Sequence, residues 1–112
     1  MLLQKNRLRK KKDFETVFKK GDGFKHDLLY LKIIKNNLDT SRFGFVISKK
    51  FSKKAVIRNK TKRRLSEIIK EKLPEIKKGI DMIIVVMPGA ENEFEKLENV
   101  LSKLFKKAGI TK

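Results

Sequence analysis

The sequence predicts an α+β fold, a two-layer α/β sandwich with helices packed on a small mixed sheet in the order α-β-β-α-β-α. Three observations predict it. Three segments repeat apolar residues with the helical period, two short stretches alternate with period two, and a third is apolar throughout. Gly, Pro and Asn punctuate the boundaries between them. With 112 residues, 39% of them hydrophobic and eight of them Phe, the chain has the length of a single domain, 1–112. That length allows a core without disulfide or metal staples.

The elements follow in order. The first twelve residues carry six basic side chains and no acid and predict a flexible basic arm. A short helix follows, with Phe14, Val17 and Phe18 at i, i+3, i+4, Asp13 as its cap and Gly21 as its stop. Residues 22–27 read as a turn. Leu28 to Lys35 is a strand, with Leu29, Leu31 and Ile33 on one face and Tyr30, Lys32 and Ile34 on the other. Asn36 to Ser41 is turn chemistry. Arg42 to Ser48 is a second strand, Phe43, Phe45 and Ile47 facing a core and the small Gly44, Val46 and Ser48 facing away. These two strands predict an antiparallel hairpin. After a basic connector, Lys49 to Lys54, a helix runs from Ala55 to Leu73 until Pro74 ends it, its apolar stripe Val56, Leu65, Ile68, Ile69 and Leu73. Asp81 to Met87 is the unbroken apolar run of a central strand, ended by Pro88-Gly89. The last helix, Glu91 to Ala108, keeps the period through Phe94, Leu97, Leu101, Leu104, Phe105 and Ala108. Its Glu residues come first and its Lys residues last, as the helix dipole favours, so it reads as scaffold.

Charge is the strongest functional signal. Thirty Lys and Arg face thirteen Asp and Glu, a formal net charge of +17. Residues 1–64 hold 21 of the basic and 5 of the acidic side chains, while residues 65–112 are nearly balanced. Solubility would not require that asymmetry, whereas a polyanion-binding surface would. The basic segments lack the bulky apolar face of a membrane-surface helix. The longest apolar run, Met82 to Met87, is far short of the ~20 residues a membrane helix needs. The N-terminus has no apolar stretch of signal-peptide length, and no residue is Cys. The expectation is a cytoplasmic protein without disulfides.

Catalysis by the chain itself finds little support. His26 is the only His and stands in a predicted turn, so neither a catalytic triad nor a His-ligated metal site can be assembled around it. Glu67 and Glu71 share a helix face at i, i+4, which is ordinarily a solvated surface. Phosphate-loop motifs are missing. No catalytic residue, metal ligand or small-molecule substrate is expected.

The segment Ser48 to Arg64, SKKFSKKAVIRNKTKRR, holds nine basic residues and no acid. On a helix, Arg58 and Lys62, Asn59 and Arg63, and Lys60 and Arg64 form three i, i+4 rows, which reads as a phosphate-bracketing face. A charge run is usually only a solvated face. Here, like charges stacked at i, i+4 repel, and a polyanionic partner would relieve them. Charge alone does not choose RNA over DNA. Lys49, Lys50, Lys53 and Lys54 extend the basic surface. Aromatic rings beside such a surface suit single-stranded RNA, because every base has a π-face. Tyr30 is placed for this; Phe14 and Phe18, taken alone, read as ordinary core.

Arg58-Asn59-Lys60-x-Lys62-Arg63 resembles the signature of the bacterial ribonuclease P protein family. NRLRKKKDFETVFKKG, RFGFVISKK, KKAVIRNKTKRR and DMIIVV fall in that family's order, over about residues 4–108. The resemblance implies the family's sandwich with a left-handed crossover. It implies a non-catalytic partner for a large RNA that cleaves precursor tRNA with bound Mg²⁺, removing the 5′ leader. Mg²⁺ belongs to that holoenzyme, and no cofactor is expected on the protein alone. Arg58, Asn59, Lys60, Lys62 and Arg63 would contact the catalytic RNA. Phe14, Phe18, Tyr30, Lys32, Val46 and Ser48 would line a leader cleft, which reverses the core reading of the two Phe. Lys49 and Lys50 would sit at its rim, with Lys53, Lys54 and Arg64 nearby. Lys60 stands where Arg is commoner, keeping the charge without the bidentate fork. Ser66 stands where the family often has Arg. The rival is a ribosomal or RNA-assembly protein, which would use an arm and a basic helix but would not require the F-x-x-x-F pair or the small strand face.

Overall fold

The computed structural model describes residues 3–88 and 94–111. Its elements are helix α1 (Lys11–Lys20), strands β1 (Asp22–His26), β2 (Leu29–Lys35) and β3 (Arg42–Ile47), helix α2 (Ala55–Lys72), strand β4 (Ile80–Val86) and helix α3 (Phe94–Ala108). Short 3-10 turns occupy Gln4–Asn6 and Leu73–Glu75. Glu91 to Glu93 of the expected last helix lie outside the described residues. The sheet order is β1-β2-β4-β3. Strand β2 is antiparallel to both β1 and β4, and β3 is parallel to β4, so α2 is the crossover of a β-α-β unit.

Burial follows the two-residue alternation of the strands. One face gives Leu29, Leu31, Phe43, Met82, Ile84 and Val86 to the main core, against Leu65, Ile68 and Ile69 of α2 and Leu97, Leu101, Leu104 and Phe105 of α3. The other face carries a smaller cluster of Leu8, Val17 and Ile83, edged by Phe14, Ile34, Val46 and Val85. Strand β4 is therefore buried on both sides, as its apolar run predicts. Phe43 is buried and Phe45 packs against the main core, as the alternation requires.

The fold adds to or corrects the sequence reading at five places. The antiparallel hairpin expected of Leu28–Lys35 and Arg42–Ser48 does not form: β4, apolar throughout, inserts between β2 and β3 and pairs with both, antiparallel to one and parallel to the other. Residues 22–27, expected as a turn, contain β1, so the observed order is α-β-β-β-α-β-α. The segment is polar and Gly-rich, but pairing with β2 and Phe24 packed on the core hold it; propensity yields to context in edge strands. The expected flexible arm is seated at residues 6–8. Leu8 donates its N–H to the Phe43 carbonyl (2.9 Å), and Asn6 Nδ2 donates to the Ser41 carbonyl (2.8 Å). Both side chains are buried. Asp13 is not the cap of α1: Lys10 is, and Asp13 lies in the first turn, where a carboxylate suits the dipole. Val56 stands out from the expected stripe of α2 at 74% exposure, and Thr61 takes the buried position, its hydroxyl donating to the Ile57 carbonyl (2.9 Å).

Candidate nucleic-acid interface

Strand register arranges the α1-facing side of the sheet in rows. Lys25 pairs with Tyr30, Tyr30 with Val85, and Val85 with Val46, which makes one row across all four strands. The next row is Gly23, Lys32, Ile83 and Gly44. Helix α1 covers this second row from Gly44 to Lys32 and leaves Gly23 open. A Cβ on Gly44 would lie 2.5 Å from Phe14 Cζ, so only Gly lets that ring down onto β3. At its other end α1 closes at Gly21, whose carbonyl accepts a hydrogen bond from Lys32 Nζ (3.2 Å). Helix α1 thus runs across the strands from β3 to β2, alongside the first row. That row stays open, with Tyr30, Val85 and Val46 half-buried and Lys25 exposed.

The expected cleft residues divide by what they do here. Phe18 is 42% exposed, a large ring with no core to fill. Phe14 is partly buried in the smaller cluster and acts mainly as the footing of α1. Lys32 is partly buried, its ammonium at the C-terminal end of α1, where a cation meets the helix dipole. Val46 lies in the open row beside Val85. Ser48 Oγ accepts from the Lys50 N–H (3.0 Å), which turns the chain out of β3. Phe51, packed against the main core, pins the connector so that Lys49, Lys50, Lys53 and Lys54 stay exposed.

On α2, Thr61 faces inward, and this orients the motif. At 100° per residue, Asn59 and Arg63 point away from the core while Arg58 with Lys62 and Lys60 with Arg64 flank them, an arc of roughly 240°. The three rows therefore wrap the helix and do not share one flat face. Asn59, Lys60, Lys62 and Arg63 are exposed, whereas Arg58 and Arg64 are partly buried. Arg58 Nη1 donates to the Ser52 carbonyl (2.7 Å), tying the helix start to the connector. Val56, Asn59, Lys62 and Arg63 lie together on the outward side of the helix. Among the described residues, no carboxylate pairs with Lys60, Lys62 or Arg63.

Three positions of the candidate site escaped the sequence reading. Val85 and Lys25 complete the open row, visible only once register is known. Arg42 is the third. It donates from Nε to Asp81 Oδ1 (2.8 Å) and from Nη2 to Asp81 Oδ2, and its Nη1 reaches Asp13 Oδ2 of α1 at 3.4 Å. The hydrogen bonds to Asp81 raise the Arg42 pKa above its ordinary value, with burial pulling the other way. Asp81 is nearly buried and also accepts from Asn36 Nδ2 (2.8 Å). This network fixes the start of α1 against β3 and β4. A periodicity argument has no way to pair residues so far apart in the chain. No group of three or more His, Cys, Asp or Glu residues that could hold a metal ion occurs among the described residues.

An α+β sheet with an open aromatic and apolar row, a basic connector and a cation-wrapped helix defines a nucleic-acid-binding protein. The chain matches the family described as Ribonuclease P over residues 2–109. It is 39% identical to the ribonuclease P protein component of Synechocystis sp. over 93% of this chain and 86% of that protein. It is 36% identical to that of Clostridium botulinum, over 96% and 98%. Among solved structures, the RNase P protein of Staphylococcus aureus superposes with a TM-score of 0.87 at 28% identity, covering 96% of this chain and 98% of that one. That of Thermotoga maritima superposes at 0.80 with 31% identity, covering 90% and 96%. The chain belongs to the ribonuclease P protein family, and the ribosomal alternative is not favoured.

Proposed function

We propose that this chain binds the catalytic RNA of ribonuclease P and holds the single-stranded 5′ leader of precursor tRNA, while the RNA performs the hydrolysis. The observation that carries the reading is the half-exposed row Tyr30–Val85–Val46, bounded by α1 on one side and by the basic connector where β3 ends. An unpaired strand can lay bases on such a floor and leave its phosphates to the lysines. A duplex buries its base faces and could not use the floor. Asn59, Lys60, Lys62 and Arg63 then meet the catalytic RNA, with Arg58 and Arg64 at the margins of the same contact. The described residues bring no set of acidic or imidazole ligands together for Mg²⁺. In this reading the holoenzyme's Mg²⁺ is held by the RNA. No helix among the described residues is long and apolar enough to cross a membrane, and the cytoplasm, where precursor tRNA is made, is the proposed site of action.

The test is cleavage of a precursor tRNA at low Mg²⁺ by protein and bacterial ribonuclease P RNA, together and separately. Activity of the mixture alone supports the reading. Cleavage by the protein alone would sink it, and so would tight RNA binding with no effect on cleavage. Arg63→Ala should weaken binding to the catalytic RNA and flatten the salt dependence by roughly 0.7–0.9 per lost phosphate contact. An unchanged slope in a salt titration removes Arg63 from the interface.

A further inference from the structure

The open row does not end at Tyr30. Its last member is Lys25, on the strand that the sequence reads as a turn. Two independent facts put Lys25 on the same face as Tyr30. Phe24 packs into the main core on the opposite side, so its neighbour must face away from that core. A Cβ on Gly23 would meet the Tyr30 hydroxyl at 2.2 Å, so Gly23, and with it Lys25 two residues on, shares the Tyr30 face. The same contact shows that the phenol leans over β1 and carries the aromatic floor towards the edge of the sheet.

A second cation stands there. Lys107 Nζ of α3 donates to the Lys25 carbonyl (3.1 Å), which places its charge at the outer edge of β1. Neither lysine has a carboxylate partner among the described residues. The acids nearest in sequence are otherwise disposed: Asp22 falls on the core side by alternation, and Asp27 in the turn faces His26 at 3.8 Å.

We propose that Lys25, backed by Lys107, binds a leader phosphate beyond Tyr30, so that the leader crosses the full width of the sheet from Val46 to β1. With strands about 4.8 Å apart, the row from Val46 to Lys25 spans about 14 Å, room for a few nucleotides. The basic connector lies at one end of this track and Lys25 at the other, with the apolar and aromatic floor between them. That is the order in which an extended strand presents phosphates, bases and phosphates again. The inference rests on the leader reading above and extends it by one named subsite. Lysines also guard exposed strand edges against pairing, but an edge guard is indifferent to the length of a leader.

The experiment uses the reconstituted holoenzyme and a series of precursor tRNAs whose leaders are shortened from the 5′ end one nucleotide at a time. Lys25→Ala should lower affinity by roughly fivefold for long leaders, with a salt slope smaller by about 0.7. The loss should vanish below the leader length that reaches β1, and Lys25→Arg should retain affinity. No loss at any length overturns the proposal, as does an equal loss for mature tRNA. Phe18→Ala in the same series separates the two readings. A leader-specific loss for Phe18→Ala with none for Lys25→Ala removes the subsite and leaves the cleft. No leader dependence in either variant removes both.

Discussion

The face of the sheet that meets α2 and α3 buries Leu29, Leu31, Phe43, Met82, Ile84 and Val86 almost completely, whereas the face that meets α1 leaves Tyr30, Val46 and Val85 half exposed. Two helices cover the first face and one short helix covers part of the second. The first supplies the apolar burial that makes the fold stable. The second needs only enough packing to hold α1 in place, and what it leaves uncovered is the surface available for binding. Strand β4 shows the division within one strand: its even-numbered residues join the main core, while Ile83 and Val85 serve the other side. In a domain this small, a partly open sheet face is tolerated because the opposite face is so fully packed.

Substitutions can break or sharpen this contrast. The largest effect is expected at Phe105, 1% exposed in the main core. Phe105→Ala should cost about 3–5 kcal/mol in urea unfolding, and a loss below about 1 kcal/mol would mean that the α3 face is not the stabilising one. Arg42→Ala comes next. It leaves the nearly buried Asp81 with Asn36 but without its cation, and about 2–3 kcal/mol should be lost. Because Arg42 also reaches Asp13, the leader-dependent part of precursor affinity should fall with it. Intact leader discrimination in the folded variant would show that α1 is positioned without the ion network. The smallest effect on stability belongs to Phe18→Ala, within about 0.5 kcal/mol for an exposed ring. Its affinity for precursor tRNA should nevertheless fall while that for mature tRNA holds. If Phe18→Ala destabilises as much as a core truncation, the second face is not divided as described.

Much of this arrangement is legible in the sequence, because periodicity reports on which face a residue lies. The Leu29/Leu31/Ile33 and Tyr30/Lys32/Ile34 split, the small Gly44/Val46/Ser48 face and the doubly buried last strand all follow from spacing two residues apart. What spacing cannot reveal is pairing. Strand β1 has only Phe24 to mark it, and its existence depends on β2 beside it. Lys25 could not join Tyr30 in one row until that partner was known. Val56 is a different case, because spacing does report it: nine residues before Leu65 it falls on the opposite side of the helix, with Asn59 and Arg63, and polar Thr61 is the inward residue, its hydroxyl satisfied on the Ile57 carbonyl. The motif residues Arg58 to Arg63 are plain in the sequence. That they wrap the helix is fixed by Thr61, which a charge pattern does not single out.

The clip of the N-terminal segment onto β3 has one further consequence. Strand β3 is at the rim of the sheet, and a rim strand offers unpaired carbonyls and amides to any other chain that meets it. Leu8 takes the Phe43 carbonyl, and Arg7 bridges alongside in parallel. The segment thus occupies part of the template on which a second copy could otherwise grow. Part of the safeguard against self-association is therefore stitched into the fold by one leucine and its backbone, and it does not depend on the cations around it, whose mutual repulsion disappears once RNA neutralises them.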